Sequence, residues 1–418
     1  MKNTKSFLFS MWEGGGNVPP VLGVASRLIK RGHRVRILAE PCLQKSIENI
    51  GACYIPFTKH FTRTDRSLDI IKDFQAKPLT IPSVENILIE PALDVAKETL
   101  AELNKEHTDV LVADFMMLGS LLAAEVKHIK RVALFHMPEY LPGSGRPPGG
   151  FGLLPSPTLI GQCRDLLLTA LFNRVLNQYL PKLNDTRTAL SLKPYQNLTD
   201  TYHEADLRLI QTCKAFDAPI DPAPKNVRYV GPVLDDPDWS EAEAFSWPQN
   251  DPRPLVLVSL SSTFQNQSTS LQRIIDAVKS LDVLCLVTLG PAMEKERFRV
   301  SDNVILLPAM PHNKILPHVK VVVTHAGHGT VMRTLAHGLP LVCMPMGRDQ
   351  LDNATLVSHH GAGIKLSTRA RPKKISKAIS QLIYNPEFKK NAQRLQHNIL
   401  EDAKADLAIN YLEELAGV

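Results

Sequence analysis

The spacing of apolar residues near the start of the chain predicts a strand, a helix and a second strand. Residues 7–11 form a short apolar run that is typical of a strand, and a glycine cluster follows it. Apolar residues then recur at helical spacing over residues 21–29, after two prolines that suit a first helical turn. Residues 35–39 are the second strand. This order of elements predicts a parallel sheet.

Similar patterns continue through the first half of the chain. We predict further strands over residues 110–114, 131–135, 207–211 and 228–230. We predict helices over residues 93–103, 119–126, 162–180 and 183–190. Between them, residues 138–157 contain too many prolines and glycines for a core element, so we expect a long functional loop there.

An acidic, proline-rich stretch over residues 232–254 shows no sustained period, which is typical of a linker. After it we predict strands over residues 255–260, 283–289, 304–307, 319–324 and 339–344, and helices over 268–280, 328–336, 352–359 and 374–384. Residues 386–415 form one strongly helical segment. Alternating strands and helices in both halves predict an α/β protein of two doubly wound, Rossmann-like domains facing across a cleft.

Length and composition agree with a soluble two-domain protein. A chain of 418 residues is too long for one ordinary core, and it contains no apolar run long enough for a transmembrane helix. The six cysteines show no metal spacing, so we expect reduced thiols in a cytoplasmic protein. The net charge of +6 favours anionic partners such as a sugar nucleotide, and keeps peripheral contact with an acidic membrane open. Nucleic-acid binding is not expected, because the basic clusters lack interleaved aromatic residues.

The strongest chemical signal is a buried strand that leads into a glycine-rich turn. Residues 319–324 run directly into the sequence His-Ala-Gly-His-Gly-Thr at 325–330, and a helix follows. Glycines let the backbone approach a ligand, and the helix N-terminus supplies free N–H groups for a diphosphate. His325 and Thr330 add two further donors. The alternative is an ordinary turn with a structural histidine and a capping threonine.

A carboxylate and an amide stand side by side after the next strand. Asp349 and Gln350 lie where the carboxyl ends of strands form the ligand crevice of an open α/β sheet. Such a pair can bind two neighbouring sugar hydroxyls. The alternative is that an aspartate here only caps the following helix.

Together these segments resemble the donor-binding signature of family-one glycosyltransferases of the GT-B fold, which include macrolide, flavonoid and glucuronosyl transferases. The residues in register with that signature are His325, Gly327, Gly329, Thr330, Asp349, Gln350 and Asn353. The resemblance implies that His325 and the loop over residues 327–330, His328 included, bind the diphosphate of a UDP- or dTDP-sugar. Asp349 and Gln350 would hold the donor sugar. No cofactor and no metal are expected.

The resemblance covers the whole chain and implies its division into domains. Residues 1–231 would bind the acceptor, residues 232–252 would be the linker, residues 253–390 would bind the nucleotide sugar, and a helix over 391–418 would pack back toward the first domain. The implied reaction is an inverting, metal-independent hexosyl transfer. In it the acceptor attacks the anomeric carbon in line, opposite the leaving diphosphate. We expect a monomer or a weak dimer.

The donor side departs from the family pattern at the nucleoside end. Ala309 stands where the family has a stacking tryptophan, and His312 stands where it has a glutamine. Recognition of the base would then depend on backbone groups near Met310 and on apolar contact, so uridine and thymidine donors both stay open. The loop Ser261-Ser262-Thr263 matches the family's hydroxyl loop near the donor.

The catalytic base is a further departure. The family's basic histidine is replaced by Asn17, whose amide has no useful basicity. Asp114 matches the aspartate that orients this histidine in the family, and burial could raise its pKa enough for it to act as the base. His136, after the strand over residues 131–135, is a second candidate. An acceptor acidic enough to need little help is a third explanation.

Apolar residues of the first half predict the acceptor side of the cleft. The expected contacts are Trp12, Gly16, Phe74, Phe115 and Phe151. They favour a small hydrophobic acceptor, such as a polyketide, flavonoid, sterol or carotenoid. Two alternatives stay open: a sugar-nucleotide epimerase of related fold, and a non-catalytic sugar-nucleotide-binding protein, for which Asn17 is the only support.

Overall fold

Two parallel sheets, each with helices packed on its faces, organise the chain. The computed structural model describes residues 4–68, 70–71, 80–142, 146–217, 223–240, 248, 250–261, 265–290 and 293–418. Within these residues, one sheet has seven strands and the other has six, and neighbouring strands run parallel in both. The predicted α/β class with two Rossmann-like domains is confirmed.

The first sheet consists of β1 (Ser6–Ser10), β2 (Arg34–Ala39), β3 (Cys53–Pro56), β4 (Val110–Asp114), β5 (Lys130–Phe135), β6 (Leu207–Ile210) and β7 (Val227–Tyr229). Their order across the sheet is β3-β2-β1-β4-β5-β6-β7. Phe7 pairs with Val35 on one side and with Val110 on the other. The sequence pattern misses the edge strand β3, because its four residues are exposed or only partly buried.

The second sheet consists of β8 (Leu255–Ser259), β9 (Leu284–Thr288), β10 (Val304–Leu307), β11 (Val321–Thr324), β12 (Leu341–Cys343) and β13 (Gly363–Lys365). Their order is β10-β9-β8-β11-β12-β13. β8, β9 and β11 are buried on both faces, as expected for a parallel sheet covered by helices. The sequence pattern also misses β13, which has only three residues.

Helices connect the strands in both halves. In the first half they are α1 (Val18–Lys30), α2 (Gln44–Asn49), α3 (Ala92–Lys105), α4 (Leu118–Val126), α5 (Leu159–Asn177), α6 (Leu180–Ala189) and α7 (Asp200–His203). In the second half they are α8 (Ser268–Val278), α9 (His312–Ile315), α10 (His328–Ala336), α11 (Gln350–His359), α12 (Pro372–Tyr384), α13 (Pro386–Lys404) and α14 (Leu407–Ala416). The predicted helices are found with slightly shifted ends.

The segment over residues 386–415 is helical as expected, but it consists of two helices. The helix breaks between α13 and α14, where Asp406 adopts a left-handed conformation with φ of 50°. α13 packs against α10 of the second half, whereas α14 packs against α1 of the first. There Glu413 accepts hydrogen bonds from Arg31 at 2.6 Å and pairs with His33 at 2.9 Å. The break therefore lets the end of the chain cross from one sheet to the other.

One side of α5 carries exposed apolar side chains, while Phe172 and Leu176 on the other side are buried. The exposed side chains of this stripe are Leu159, Ile160, Leu166, Leu167 and Leu171. Peripheral contact with a membrane stays a prediction. Among the residues that the structure describes, no helix is long and apolar enough to cross a bilayer.

Candidate functional site

A cleft of about 310 Å³ lies where the carboxyl ends of the two sheets face each other. From the first half it is lined by residues that follow β1, β4 and β5, and from the second by residues that follow β8, β10, β11 and β12. Its volume falls within the range usual for small-molecule sites. The edge of an open parallel sheet thus forms the ligand crevice in both domains.

The turn over residues 325–330, called the 325–330 turn below, joins β11 to α10 on the cleft wall. Ala326 adopts a φ of 70°, which is rare for a residue with a side chain and is typical of functional sites. A methyl group added at Gly327 would lie 2.6 Å from His325 Nε2, so glycine is required for the ring to lie across the turn. Gly327, Gly329 and Thr330 all line the cleft. The N–H groups of the first turn of α10 therefore face a space that an anion can enter.

Basic side chains surround this turn. Burial, with a smaller contribution from Arg348, lowers the pKa of His325 to about 4. Burial lowers the pKa of His312 to about 3, with smaller contributions from Arg333 and His325. Basic groups that disfavour each other's positive charge in this way are well placed to hold an anion. Arg348 also lines the cleft, with a φ of 56° that is uncommon for its residue type, and no motif in the sequence points to it.

Asp349 and Gln350 both line the cleft, but they are not equally free to bind a ligand. Burial raises the pKa of Asp349 to about 6. The Gln350 side chain is committed to the protein: its Oε1 accepts from the N–H of Met346 at 2.8 Å and from that of Gly347 at 3.2 Å. Its Nε2 donates to Gln265 Oε1 at 3.0 Å. Gln350 therefore shapes its own turn and orients Gln265, a cleft residue for which the sequence offers no signal.

Asn353 lies behind the cleft wall rather than on it, which corrects the expectation that it contacts the donor. It has no exposed surface, and its Nδ2 donates to Asp349 Oδ2 at 2.8 Å and to the carbonyl of Ala326 at 3.0 Å. Its Oδ1 lies 3.3 Å from His328 Nδ1, and His328 Nε2 lies 3.2 Å from the carbonyl oxygen of Gln211 in the first domain. Asn353 is a positioning residue, and His328 joins the two domains.

The structure describes some of the residues that we predict at the nucleoside end of the donor site. Ala309, Met310 and Ser261 line the cleft. His312 Nε2 lies 3.1 Å from Ser259 Oγ, and its buried Nδ1 has no hydrogen-bond partner in the described part of the chain. Ser262 and Thr263 lie outside the described residues.

Asn17 and Asp114 form a buried hydrogen-bonded unit at the acceptor side. Asn17 Oδ1 accepts from the N–H of Gly14 at 3.0 Å, and its Nδ2 donates to the carbonyl of Trp12 at 2.9 Å and to Asp114 Oδ2 at 2.8 Å. Asp114 Oδ1 accepts from the N–H of Met116 at 2.9 Å. Burial raises the pKa of Asp114 to about 6, against the lowering effect of these hydrogen bonds. With no exposed surface and both oxygens occupied, Asp114 is poorly placed to take a proton from an acceptor itself.

The His136 side chain can be reached from the cleft, unlike that of Asp114. It follows β5, lines the cleft and keeps 19% of its side chain exposed. Its Nδ1 lies 3.7 Å from Asp114 Oδ2 and has no hydrogen-bond partner among the described residues. Burial lowers the pKa of His136 to about 4, so the ring is neutral at pH 7. A neutral imidazole beside a buried carboxylate is the arrangement of a general base with an orienting partner.

An apolar chamber extends the cleft into the first domain. Its walls are Ile81, Val84, Leu88, Phe115, Phe135, Tyr140, Phe172, Leu176 and Tyr202. Trp12 and Gly16 lie at its border with Asn17. The Phe115 ring stacks on Phe135 with a centroid distance of 4.9 Å. Of the predicted acceptor contacts, Phe74 lies outside the described residues.

The expectation that Phe151 contacts the acceptor is corrected. This side chain is 38% exposed and does not line the cleft. Its neighbours Gly150 and Gly152 donate their N–H groups to the Asp352 carboxylate at 2.5 and 2.6 Å. The proline- and glycine-rich loop is therefore docked on α11 of the second domain, beside Asp349. No cluster of three or more metal-ligating side chains is found within the described ranges.

Comparison with known proteins places this geometry in context. The sequence model of a family described as "UDP-glucoronosyl and UDP-glucosyl transferase" matches residues 37–413. The chain is 30% identical to 4'-demethylrebeccamycin synthase of Lentzea aerocolonigenes over 418 aligned positions, covering 97% of both proteins. A solved structure of the glycotransferase of kitacinnamycin aligns with a TM-score of 0.78 and 18% identity, over 99% of this chain and 100% of that one. The calicheamicin glycosyltransferase CalG4 aligns with a TM-score of 0.75 and 20% identity, over 99% of each chain. These structures confirm the GT-B fold.

Proposed function

This chain belongs to the family of UDP-glucoronosyl and UDP-glucosyl transferases, and we propose on that premise that it moves a sugar from a UDP- or dTDP-sugar to a small, apolar natural product. It is a glycosyltransferase of the natural-product type. The observation that carries the finer proposal is that the 325–330 turn and its basic side chains face the apolar chamber across one cleft. A charged donor and an apolar acceptor would thus be held on opposite walls of one space.

The proposed reaction is a single in-line displacement that inverts the anomeric carbon. The acceptor nucleophile loses its proton to His136 as it attacks, and the ionised Asp114 stabilises the resulting imidazolium. The diphosphate leaves toward the 325–330 turn, where His325, Arg348 and the N–H groups of α10 stabilise its charge. These groups supply the charge stabilisation that the proposal needs without a metal ion.

The two alternatives are less favoured than transfer. An epimerase needs no apolar chamber beside the donor, and a non-catalytic binder needs no neutral imidazole between the donor and that chamber. Asn17, the only support for the binder, is accounted for as a partner of Asp114.

A donor and acceptor screen tests the proposal. The purified chain is incubated with UDP- and dTDP-hexoses and a panel of apolar hydroxylated or N–H-bearing aromatic compounds, and products are followed by mass spectrometry. We expect release of nucleoside diphosphate coupled to a glycosylated product, with the opposite anomeric configuration by NMR coupling constants. Sugar interconversion without an acceptor would support the epimerase, and binding without turnover in any combination would support the non-catalytic protein.

When a nucleoside diphosphate binds near neutral pH, we expect the protein to take up protons. The pKa of His325 is about 4, and a diphosphate beside the ring would raise it. A group whose pKa rises on binding gives an affinity that increases as pH falls through the pKa of the complex and levels off below the pKa of the free protein. Calorimetry of UDP or dTDP in buffers of different ionisation enthalpy measures this uptake. The range from pH 8 to 6.5 is chosen because it lies above the pKa of about 6 of Asp349.

The control for this linkage is the His325→Gln variant, which keeps a hydrogen-bonding side chain but cannot gain a proton. Proton uptake should fall in this variant. Equal uptake by wild type and variant would show that His325 does not gain the proton.

A further inference from the structure

Arg333 is a buried cation on the donor side of the cleft that the reaction described above does not use. It lies on α10 after the 325–330 turn, is only 8% exposed, and lines the cleft. Its side chain runs back toward the start of the helix, because a methyl group added at Gly329 would lie 3.4 Å from Arg333 Nη2. The guanidinium is therefore next to the place where we propose that the diphosphate binds.

The Arg333 guanidinium forms an ion pair with Asp236, but the protein leaves one of its N–H donors without a hydrogen bond. Its Nη1 donates to the carbonyl oxygen of Asp235 at 3.1 Å. Its Nε lies 3.7 Å from Asp236 Oδ1, too far for a hydrogen bond, and is buried without a hydrogen-bond partner among the described residues. The Asp236 carboxylate is already occupied, since it accepts from the N–H groups of His312 at 3.0 Å and Asn313 at 2.9 Å. A buried guanidinium with an unused N–H is costly unless a ligand completes its hydrogen bonds.

The position of Arg333 indicates which part of a nucleotide it meets. On one side is the 325–330 turn, and on the other is His312, whose pKa it helps to lower and which lies at the predicted nucleoside end. A nucleotide that extends from Met310 to the turn passes its first phosphate beside this guanidinium. Arginine is suited to phosphate because its planar fork offers parallel N–H groups.

We propose that Arg333 is a donor-binding residue that holds the phosphate nearest the nucleoside. The inference rests on the proposed function and extends it, since nothing in the family signature described above assigns a role to this position. The alternative is purely structural: Arg333 would only tie residues 235–236 of the linker to α10.

Affinities for uridine, UMP and UDP, measured by calorimetry or by competition, separate these roles. The dTDP series is used instead if the wild type prefers it. We expect Arg333→Gln to weaken UMP and UDP alike by about 10- to 100-fold, the usual effect of losing a hydrogen bond to a charged group, and to leave the nucleoside unaffected. Arg333→Lys should restore part of the loss. Arg369→Gln, which removes an exposed arginine of the same domain outside the cleft, should change none of the three affinities.

Other outcomes overturn the inference. Unchanged affinity for UMP and UDP in Arg333→Gln, or a loss confined to UDP, would exclude contact with the first phosphate. An equal loss for uridine, together with a lower melting temperature without ligand, would assign Arg333 to holding the linker. If the wild type binds none of these nucleotides, the proposed function itself fails, whereas tight binding by both wild type and Arg333→Gln refutes only the role of Arg333.

Discussion

Replacing His136 with alanine is expected to slow sugar transfer by about 10²- to 10⁴-fold, the usual contribution of a general base, without weakening nucleotide binding. The reason is that an acceptor in the cleft can reach His136 but not Asp114. Asp114 has no exposed surface and its two oxygens already accept hydrogen bonds from Asn17 and Met116, whereas His136 lines the cleft 3.7 Å from the same carboxylate. Steady-state kcat with a saturating donor measures the effect.

His136→Gln is the companion variant, because it preserves more of the side-chain volume beside Phe115. His107→Gln is the matched control, since His107 is 80% exposed, lies outside the cleft and also pairs with an aspartate. Should both His136 variants keep the wild-type kcat, the base lies elsewhere or the acceptor needs none. Asn17→His in the His136→Ala background offers a rescue, because an imidazole there would adjoin Asp114 again.

The pH dependence of sugar transfer tests independently whether Asp114 and His136 act together. The pKa of Asp114 is about 6, and only its ionised form stabilises the imidazolium that forms when His136 takes the proton. Activity should therefore fall as pH decreases through about 6. His136, with a pKa of about 4, is already neutral at that pH. Asp114→Asn should lower the plateau and reduce the fall near pH 6, leaving only the part that comes from Asp349, whose pKa is also about 6.

Replacing Gly327 with alanine is expected to weaken nucleoside diphosphate binding by about 10- to 100-fold, as for the loss of one charge-assisted hydrogen bond. The added methyl group would lie 2.6 Å from His325 Nε2 and 2.8 Å from its Cε1. Real side chains do not approach so closely, so the ring must leave its place across the turn. Calorimetry with UDP or dTDP measures the loss.

A double-mutant cycle identifies the clash as the cause. His325→Ala should weaken binding by a similar factor, and Gly327→Ala added in that background should cost little more, because the ring is no longer there. Fully additive losses would contradict this explanation and would mean that Gly327 matters through its own backbone conformation. Melting temperatures without ligand check that each variant is folded.

Local patterns predict much of the fold and the donor turn. The 325–330 turn is readable because its strand, glycines and helix are adjacent in sequence, so one short segment carries all the information. Asp114 and His136 could be predicted to meet because they stand at or just after the ends of β4 and β5, which pair in the sheet. The break at Asp406 could not be predicted in this way, because no glycine or proline marks it.

Other features depend on contacts between distant residues. Gln265 meets Gln350, which is 85 positions away, and no local pattern connects them. Phe151 stands in a loop whose composition suggested an acceptor contact, but the loop is held by Asp352 of the other domain, 202 positions from Gly150. The reassignment of Asn353 from ligand contact to support of Asp349 also required the structure, because sequence spacing cannot tell the wall of a cleft from the layer behind it.

The most direct test of the proposed donor site is a crystal structure of the chain with UDP or dTDP bound. We expect the diphosphate to lie at the start of α10, within hydrogen-bond distance of His325 and Thr330, with the nucleoside toward Met310. We also expect the apolar chamber to stay open for the acceptor. A nucleotide bound away from residues 325–330, or one that fills the chamber between Phe115 and Phe172, would contradict this arrangement.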